Sequence, residues 1–308
     1  MSKDYLAGTK PFEALLLKEP EYWALKDIAV LRSLRIVSVD AAAHEVWTSS
    51  GAALGSGTLV WCAGGTPRHL SCAGSHLAGV HAVRTRADVD PVREELATVA
   101  VVGGGYIGLE AAAVLTQLGK SVTVIEMQDR VLARVAGAPV SRFYEAEHRA
   151  RGVRIMLNTA VSRIEERHGR ASGVRLGDAT VLPTDMVVAG IGIIPAVQPL
   201  LDAGAAGGNG VEVDACCRTS LPDIYAIGDC AAHRSRFADG GSIRVESVQN
   251  AVDQALVAAK AITGAPVSYE AISWFWSNQY DLRLQTVGLS TGHDAMVVRA
   301  SRTRAASP

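Results

Sequence analysis

The chain has 308 residues, 48% of them hydrophobic and 20% charged, with 30 basic side chains against 31 acidic ones. This length suits two domains of ordinary size, and the composition is that of a globular α/β protein rather than a disordered or disulfide-stapled one. The near-neutral balance gives no electrostatic footprint for nucleic acid. No apolar run reaches the roughly 20 residues that span a bilayer, and the polar start has no signal-peptide core, so the expectation is a cytoplasmic protein without membrane contact.

In chain order, the stretches 27–39 and 44–48 read as β-rich. Residues 58–62 read as a buried strand running into a turn-rich segment, Ala63 to Arg68. The run from Val99 to Val102 is a fully apolar strand. A helix follows from Ile107 to Leu118 and stops at Gly119, and a second apolar strand covers 122–125. A helix is expected over 140–150, strands over 153–157 and 161–165, and a hairpin over 172–181 with Gly177–Asp178 as its turn. Met186 to Ala189 is another apolar strand and 224–227 a further one. A helix spans about 247–262, and an aromatic, β-like segment begins at 267. The residues after Arg299 read as a frayed tail.

The five cysteines (Cys62, Cys72, Cys216, Cys217 and Cys230) make no C-x-x-C pair and no zinc spacing, and read as free thiols, mostly buried. The eight histidines are scattered without H-E-x-x-H, so no metal site is expected.

The segment from Val99 to Glu126 carries the chemistry. An apolar strand enters Gly103-x-Gly105-x-x-Gly108, a helix follows, and a second strand ends on an acid. Gly103 allows the tight turn, Gly105 lets backbone approach a pyrophosphate, and Gly108 lets helix pack on strand. The helix N-terminus faces the phosphates, and Glu126 is placed to take the ribose hydroxyls. A carboxylate repels a 2′-phosphate, so the expected cofactor of this site is NADH.

Further motifs lie along the chain: Ser2-Lys3-Asp4-Tyr5-Leu6, Arg84-Thr85, Tyr106-Ile107-Gly108-Leu109-Glu110 and Ala189 to Pro195. They continue with Tyr225-Ala226-Ile227-Gly228-Asp229, Arg244 to Ala251, and Trp274-Phe275-Trp276-Ser277-Asn278-Gln279. With these the chain resembles the FAD-dependent ferredoxin reductases of the putidaredoxin and rubredoxin reductase type. The resemblance implies two Rossmann-like, three-layer α/β domains and the start of a C-terminal α+β interface domain. It places an FAD domain at 1–90 and 215–266, an NAD domain at 91–214, and the C-terminal domain at 267–308. It implies FAD and NADH as cofactors, a small 2Fe-2S ferredoxin or a rubredoxin as partner, and a monomer or homodimer.

By the same resemblance Lys3 and Glu110 form the pair beside the reacting rings. Lys3, Ile36, Arg84, Gly228, Asp229, Val248 and Trp276 face FAD. Tyr106, Ile107, Glu110, Gly190, Ile191 and Gly192 join Gly103, Gly105, Gly108 and Glu126 around NAD. Blander roles exist for several of these: a solvated lysine for Lys3, core packing for Ile36 and Trp276, a surface arginine for Arg84. Related flavoproteins also include disulfide reductases and NADH oxidases, and a decayed NADH-binding fragment is a further reading.

Two departures stand against the family pattern. The chain starts at the Ser-Lys motif, without the first strand-GxGxxG-helix unit, and it ends within the C-terminal domain. The expectation is a chain truncated at both ends, with an incomplete FAD domain, an exposed apolar sheet edge and weak or absent flavin binding. Ala63 also stands where the family usually has threonine.

Overall fold

The computed structural model describes residues 3–94, 98–290 and 292–299. Ser2 of the Ser-Lys motif and the tail from residue 300 onward lie outside the described residues.

The centre of the fold is a five-stranded, all-parallel sheet in the order Val80–His81, Met186–Ala189, Thr98–Val102, Ser121–Ile125, Arg154–Met156. Parallel strands need long crossovers, and the helices Tyr106–Gln117 and Ala138–Ala150 supply two of them. Such a sheet is covered on both faces, which is why the central strands Met186–Ala189 and Thr98–Val102 read as near-continuous apolar runs rather than alternating. Side-chain alternation assigns the faces. Val99, Val101, Val122 and Val124 pack with Leu109, Ala112 and Leu115 of the first helix and with Tyr144 of the second. Ala100, Val102, Ile125 and Val187 pack instead on Ile164, Ala171, Val174 and Leu176. Those last residues belong to an antiparallel meander of three strands, Val161–Arg167, Arg170–Leu176 and Val181–Pro183.

The second half of the molecule is assembled from short pieces. An antiparallel meander (Ile36–Asp40, Glu45–Thr48, Ala53–Gly55) leads into Leu59–Trp61, which pairs in parallel with Ile224–Ala226. A four-stranded mixed sheet is formed by Gly207–Gly208, Gly210–Val213, Ala231–Arg234 and Ser242–Arg244. Trp61, Leu200, Val211, Ile224, Ala226 and Cys230 make its core. The helix Val248–Ile262 covers Cys217, Tyr225 and Tyr269. A hairpin, Trp274–Gln279 with Leu282–Val287, is the last pair of strands among the described residues and lays Phe275 on Tyr106, rings stacked 4.3 Å apart.

The sequence-based reading of elements needs three corrections. Residues 27–35 are irregular rather than β, since their apolar side chains (Ile28, Val30, Leu31, Leu34) are exposed and have no strand partner among the described residues. Gly65–Pro67, expected as turn, is a strand antiparallel to Ile193–Pro195, a pairing made across the two halves. The cysteines are mixed: Cys217 and Cys230 are buried, Cys72 and Cys216 half-buried, and Cys62 exposed. Alternation along its strand puts Trp61 into the core and turns the following Cys62 outward. Exposed apolar side chains also stand on the small sheets, Val37, Trp47 and Val60 among them.

Candidate functional site

The glycine turn is tight in the way its sequence demands. Gly103 has φ +105°, where a side chain would be strained, and a Cβ there would meet the Gly190 carbonyl oxygen at 2.5 Å. A Cβ on Gly108 would stand 1.9 Å from the Gly103 carbonyl oxygen, so only glycine lets this helix start against its strand. Gly105 is different: a Cβ there would meet nothing within 4 Å. It is the N-cap residue of the helix Tyr106–Gln117, and no side chain caps that end. An open, uncapped helix N-terminus lined by glycine fits a pyrophosphate.

Glu126 closes one side of this turn. Its Oε2 accepts the Gly104 N–H at 2.6 Å and its Oε1 the Gln128 N–H at 2.8 Å. Each oxygen keeps a further lone pair, so the carboxylate is held in place and can still accept from a ribose diol. On the other side, the Gly190–Gly192 loop touches the turn. A Cβ on Gly190 would come within 2.9 Å of the Gly108 Cα, and Gly192 has φ +93°.

One helical turn further on, Glu110 points into the molecule, 1% exposed. Lys3 Nζ lies 3.1 Å from its Oε1 and 5.4 Å from the centroid of the Trp276 ring. Ser277 Oγ donates to the same Oε1 at 2.7 Å. Trp274 stacks on Trp276, with ring centroids 5.1 Å apart. The N-terminal segment, the first nucleotide helix and the C-terminal hairpin therefore meet at one ion pair walled by aromatic rings. Lys3 is thus paired with a buried carboxylate while its own side chain stays partly open to water.

A second group forms at the end of the strand Ile224–Ala226. Gly228 has φ +74° and donates its N–H to Gln254 Oε1 at 2.7 Å. Asp229 faces Arg84 at 3.5 Å, and its carbonyl oxygen accepts from Arg244 at 2.8 Å. Arg84 also crowds Gly64, where a Cβ would stand 2.9 Å from the guanidinium. Arg84 and Asp229, two of the residues expected to face FAD, thus meet each other, partly open to solvent. Val248 is exposed in the first turn of its helix, with Ser247 Oγ as cap accepting the Asn250 N–H at 3.1 Å. Ile36 packs at the edge of the Trp61 core.

Four buried polar side chains matter here that were not among the expected site residues: Ser277 and Gln279, within the Trp-Phe-Trp-Ser-Asn-Gln motif, and His148 and Gln254. The available signal was the polar second half of the strand Trp274–Gln279, where alternation turns Ser277 and Gln279 inward on either side of the exposed Asn278. Burial pushes the Cys217 thiol up to about 12 and raises Cys230 as well, which makes both poor sources of thiolate. No group of metal-ligating side chains is found among the described residues, and no helix there is long and apolar enough to cross a membrane.

Comparison with known proteins agrees with this geometry. Residues 1–255 match the family Pyridine nucleotide-disulphide oxidoreductase, and 274–307 match Reductase C-terminal. The chain is 57% identical over 303 residues to the 5,5'-dehydrodivanillate O-demethylase ferredoxin reductase subunit of Sphingobium sp. strain SYK-6, covering 97% of this chain and 74% of that protein. It superposes with TM-score 0.93 on the ferredoxin reductase for the CYP199A2 system from Rhodopseudomonas palustris, at 38% identity over 97% of this chain and 74% of the other. The covalent putidaredoxin reductase–putidaredoxin complex gives the same TM-score of 0.93 at 39% identity, again over 97% and 74% of the two chains. The glycine turn with its acid, the ion pair under tryptophan and the match along almost the whole chain place this protein in the pyridine nucleotide-disulphide oxidoreductase family, among its ferredoxin reductases.

Proposed function

We propose that this protein is the reductase of an oxygenase electron-transfer chain, moving electrons from NADH by way of FAD to a 2Fe-2S ferredoxin or a rubredoxin. The observation that carries the reading is the Lys3–Glu110 pair beneath Trp276, one helical turn from the glycine loop. Gly103, Gly105, Tyr106, Ile107 and Gly108 would hold the NADH pyrophosphate, Glu126 its adenosine ribose, and Gly190, Ile191 and Gly192 its nicotinamide side. Lys3, Ile36, Arg84, Gly228, Asp229, Val248 and Trp276 would face FAD. Bound FAD supplies the exchange between a two-electron donor and a one-electron acceptor.

The chain's own contribution is alignment and charge. Lys3 sets a positive charge where negative charge develops, and Glu110 fixes the direction of that ammonium. The Glu110 carboxylate is buried while the Lys3 side chain stays partly open to water, and burial of the carboxylate strengthens the electrostatics of the pair. No group in the site is asked to serve as a nucleophile. The partner class follows from the relatives' names, an O-demethylase ferredoxin reductase subunit and a reductase bound to putidaredoxin.

The test is NADH-driven cytochrome c reduction by the FAD-supplemented protein, with and without an added 2Fe-2S ferredoxin. The expected outcome is turnover that depends on ferredoxin. Ferredoxin-independent oxygen uptake or disulfide reduction at the same rate would contradict the proposal.

A further inference from the structure

Glu110 is the end of a buried chain of side chains that crosses three elements. Ser277 Oγ donates to Glu110 Oε1 at 2.7 Å, and Gln279 Nε2 donates to Ser277 Oγ at 3.1 Å. Gln279 Oε1 lies 2.8 Å from His148 Nε2, and His148 Nδ1 lies 3.0 Å from the Tyr280 hydroxyl. Ser277 and His148 are 0% exposed and Gln279 1%. His148 sits on the helix Ala138–Ala150, Glu110 on Tyr106–Gln117, and the other residues on the C-terminal hairpin or its turn.

The Glu110 carboxylate can only accept, so Ser277 donates to it and takes the Gln279 NH2, which turns the amide oxygen toward His148. An amide oxygen cannot donate, so His148 Nε2 carries the hydrogen and Nδ1 of the neutral ring accepts from Tyr280. That contact orients the Gln279 amide, whose NH2 then occupies Ser277 Oγ and leaves the serine proton for Glu110. Burial holds His148 below the usual histidine range, in keeping with a neutral ring.

We propose that Ser277, Gln279 and His148 are positioning residues, which fix the Glu110 carboxylate and, through it, the Lys3 ammonium beneath Trp276. The role rests on reading the Lys3–Glu110 pair as the flavin-side charge, but its geometry belongs to the chain alone.

The test uses lysines methylated with carbon-13, which keep their charge. The chain has only six lysines, so the signals separate. Lys3 Nζ lies 5.4 Å from the Trp276 ring centroid and Lys18 Nζ 4.8 Å from that of Tyr22, so two signals are expected to be shifted by ring currents, and Lys18→Arg tells them apart. In Ser277→Ala and Gln279→Leu the Lys3 signal is expected to move most of the way to the position of exposed lysines, while Ser277→Thr keeps it. An unmoved Lys3 signal in either folded variant would overturn the proposal. If those variants do not fold, the nitrogen-15 spectrum of His148 in the unaltered protein decides. Protonated Nε2 with bare Nδ1 at neutral pH upholds the chain, and the other tautomer or an imidazolium overturns it. Neither readout involves flavin, so failure to bind FAD would strike the proposed function and leave this inference to be decided separately.

Discussion

Glu126 is tied down by two backbone N–H groups before any ligand arrives. Preorganisation of this kind means that a ribose diol need not order the side chain. Glu126→Ala is expected to weaken NADH binding by about tenfold, the scale of hydrogen bonds to a charged group, and to narrow the preference over NADPH. Fluorescence titration with each nucleotide checks both effects. Lys3 calls for a different test. Lys3→Met removes the cation paired with Glu110, which is 1% exposed, and keeps the Ser277 hydrogen bond. A loss of about 2 kcal/mol in urea unfolding is expected, below the full cost of a broken buried pair because Lys3 itself is partly open to water. Glu126 and Lys3 were legible in the sequence because each sits at a fixed place in a motif. His148 and Gln279 were not, because a lone polar residue on a helix or strand acquires its partner only when the hairpin packs.

The elements show the same division. The strand-turn-helix unit is local: apolar strand, glycines at set places, apolar helix. Its outline in the sequence therefore matches the strands Thr98–Val102 and Ser121–Ile125 and the helix Tyr106–Gln117 to within a residue or two. Two of its glycines make opposite predictions. Gly108→Ala places a methyl group 1.9 Å from a backbone oxygen and is expected to cost about 3 kcal/mol in stability, measured by urea unfolding. Gly105→Ala meets nothing within 4 Å and is expected to leave stability nearly unchanged while weakening NADH binding, because the methyl group stands where a pyrophosphate would approach. The strand Gly65–Pro67 was hidden for the converse reason. Its partner, Ile193–Pro195, lies far along the chain, and nothing local in a Gly-Thr-Pro run favours a strand.

At the scale of the molecule, two buried histidines, His148 and His233, couple stability to pH. Burial lowers both below the ordinary value of 6.5. The unfolded chain then binds protons that the fold refuses, so stability is full above about pH 6.5 and falls as pH drops toward the folded-state values. Urea midpoints taken through this range are expected to decline on acidification, and His233→Gln is expected to flatten the decline. The two-half plan itself was legible from motifs spread along the chain. The Lys3–Glu110 pair was likewise legible through the resemblance, but the tie from Glu110 to Ser277 and the stacking of Trp274 on Trp276 were not, because they depend on packing of the final hairpin against the nucleotide helix. The central claim is that the convergence of Lys3, Glu110 and Trp276, next to the Gly103 to Glu126 unit, serves electron transfer from NADH to flavin. Anaerobic mixing of the FAD-supplemented protein with NADH or NADPH tests it most directly, with bleaching of the flavin absorbance as the signal. Bleaching by NADH is expected to be at least about tenfold faster than by NADPH. Equal rates with the two nucleotides, or flavin that NADH leaves oxidised, would contradict it.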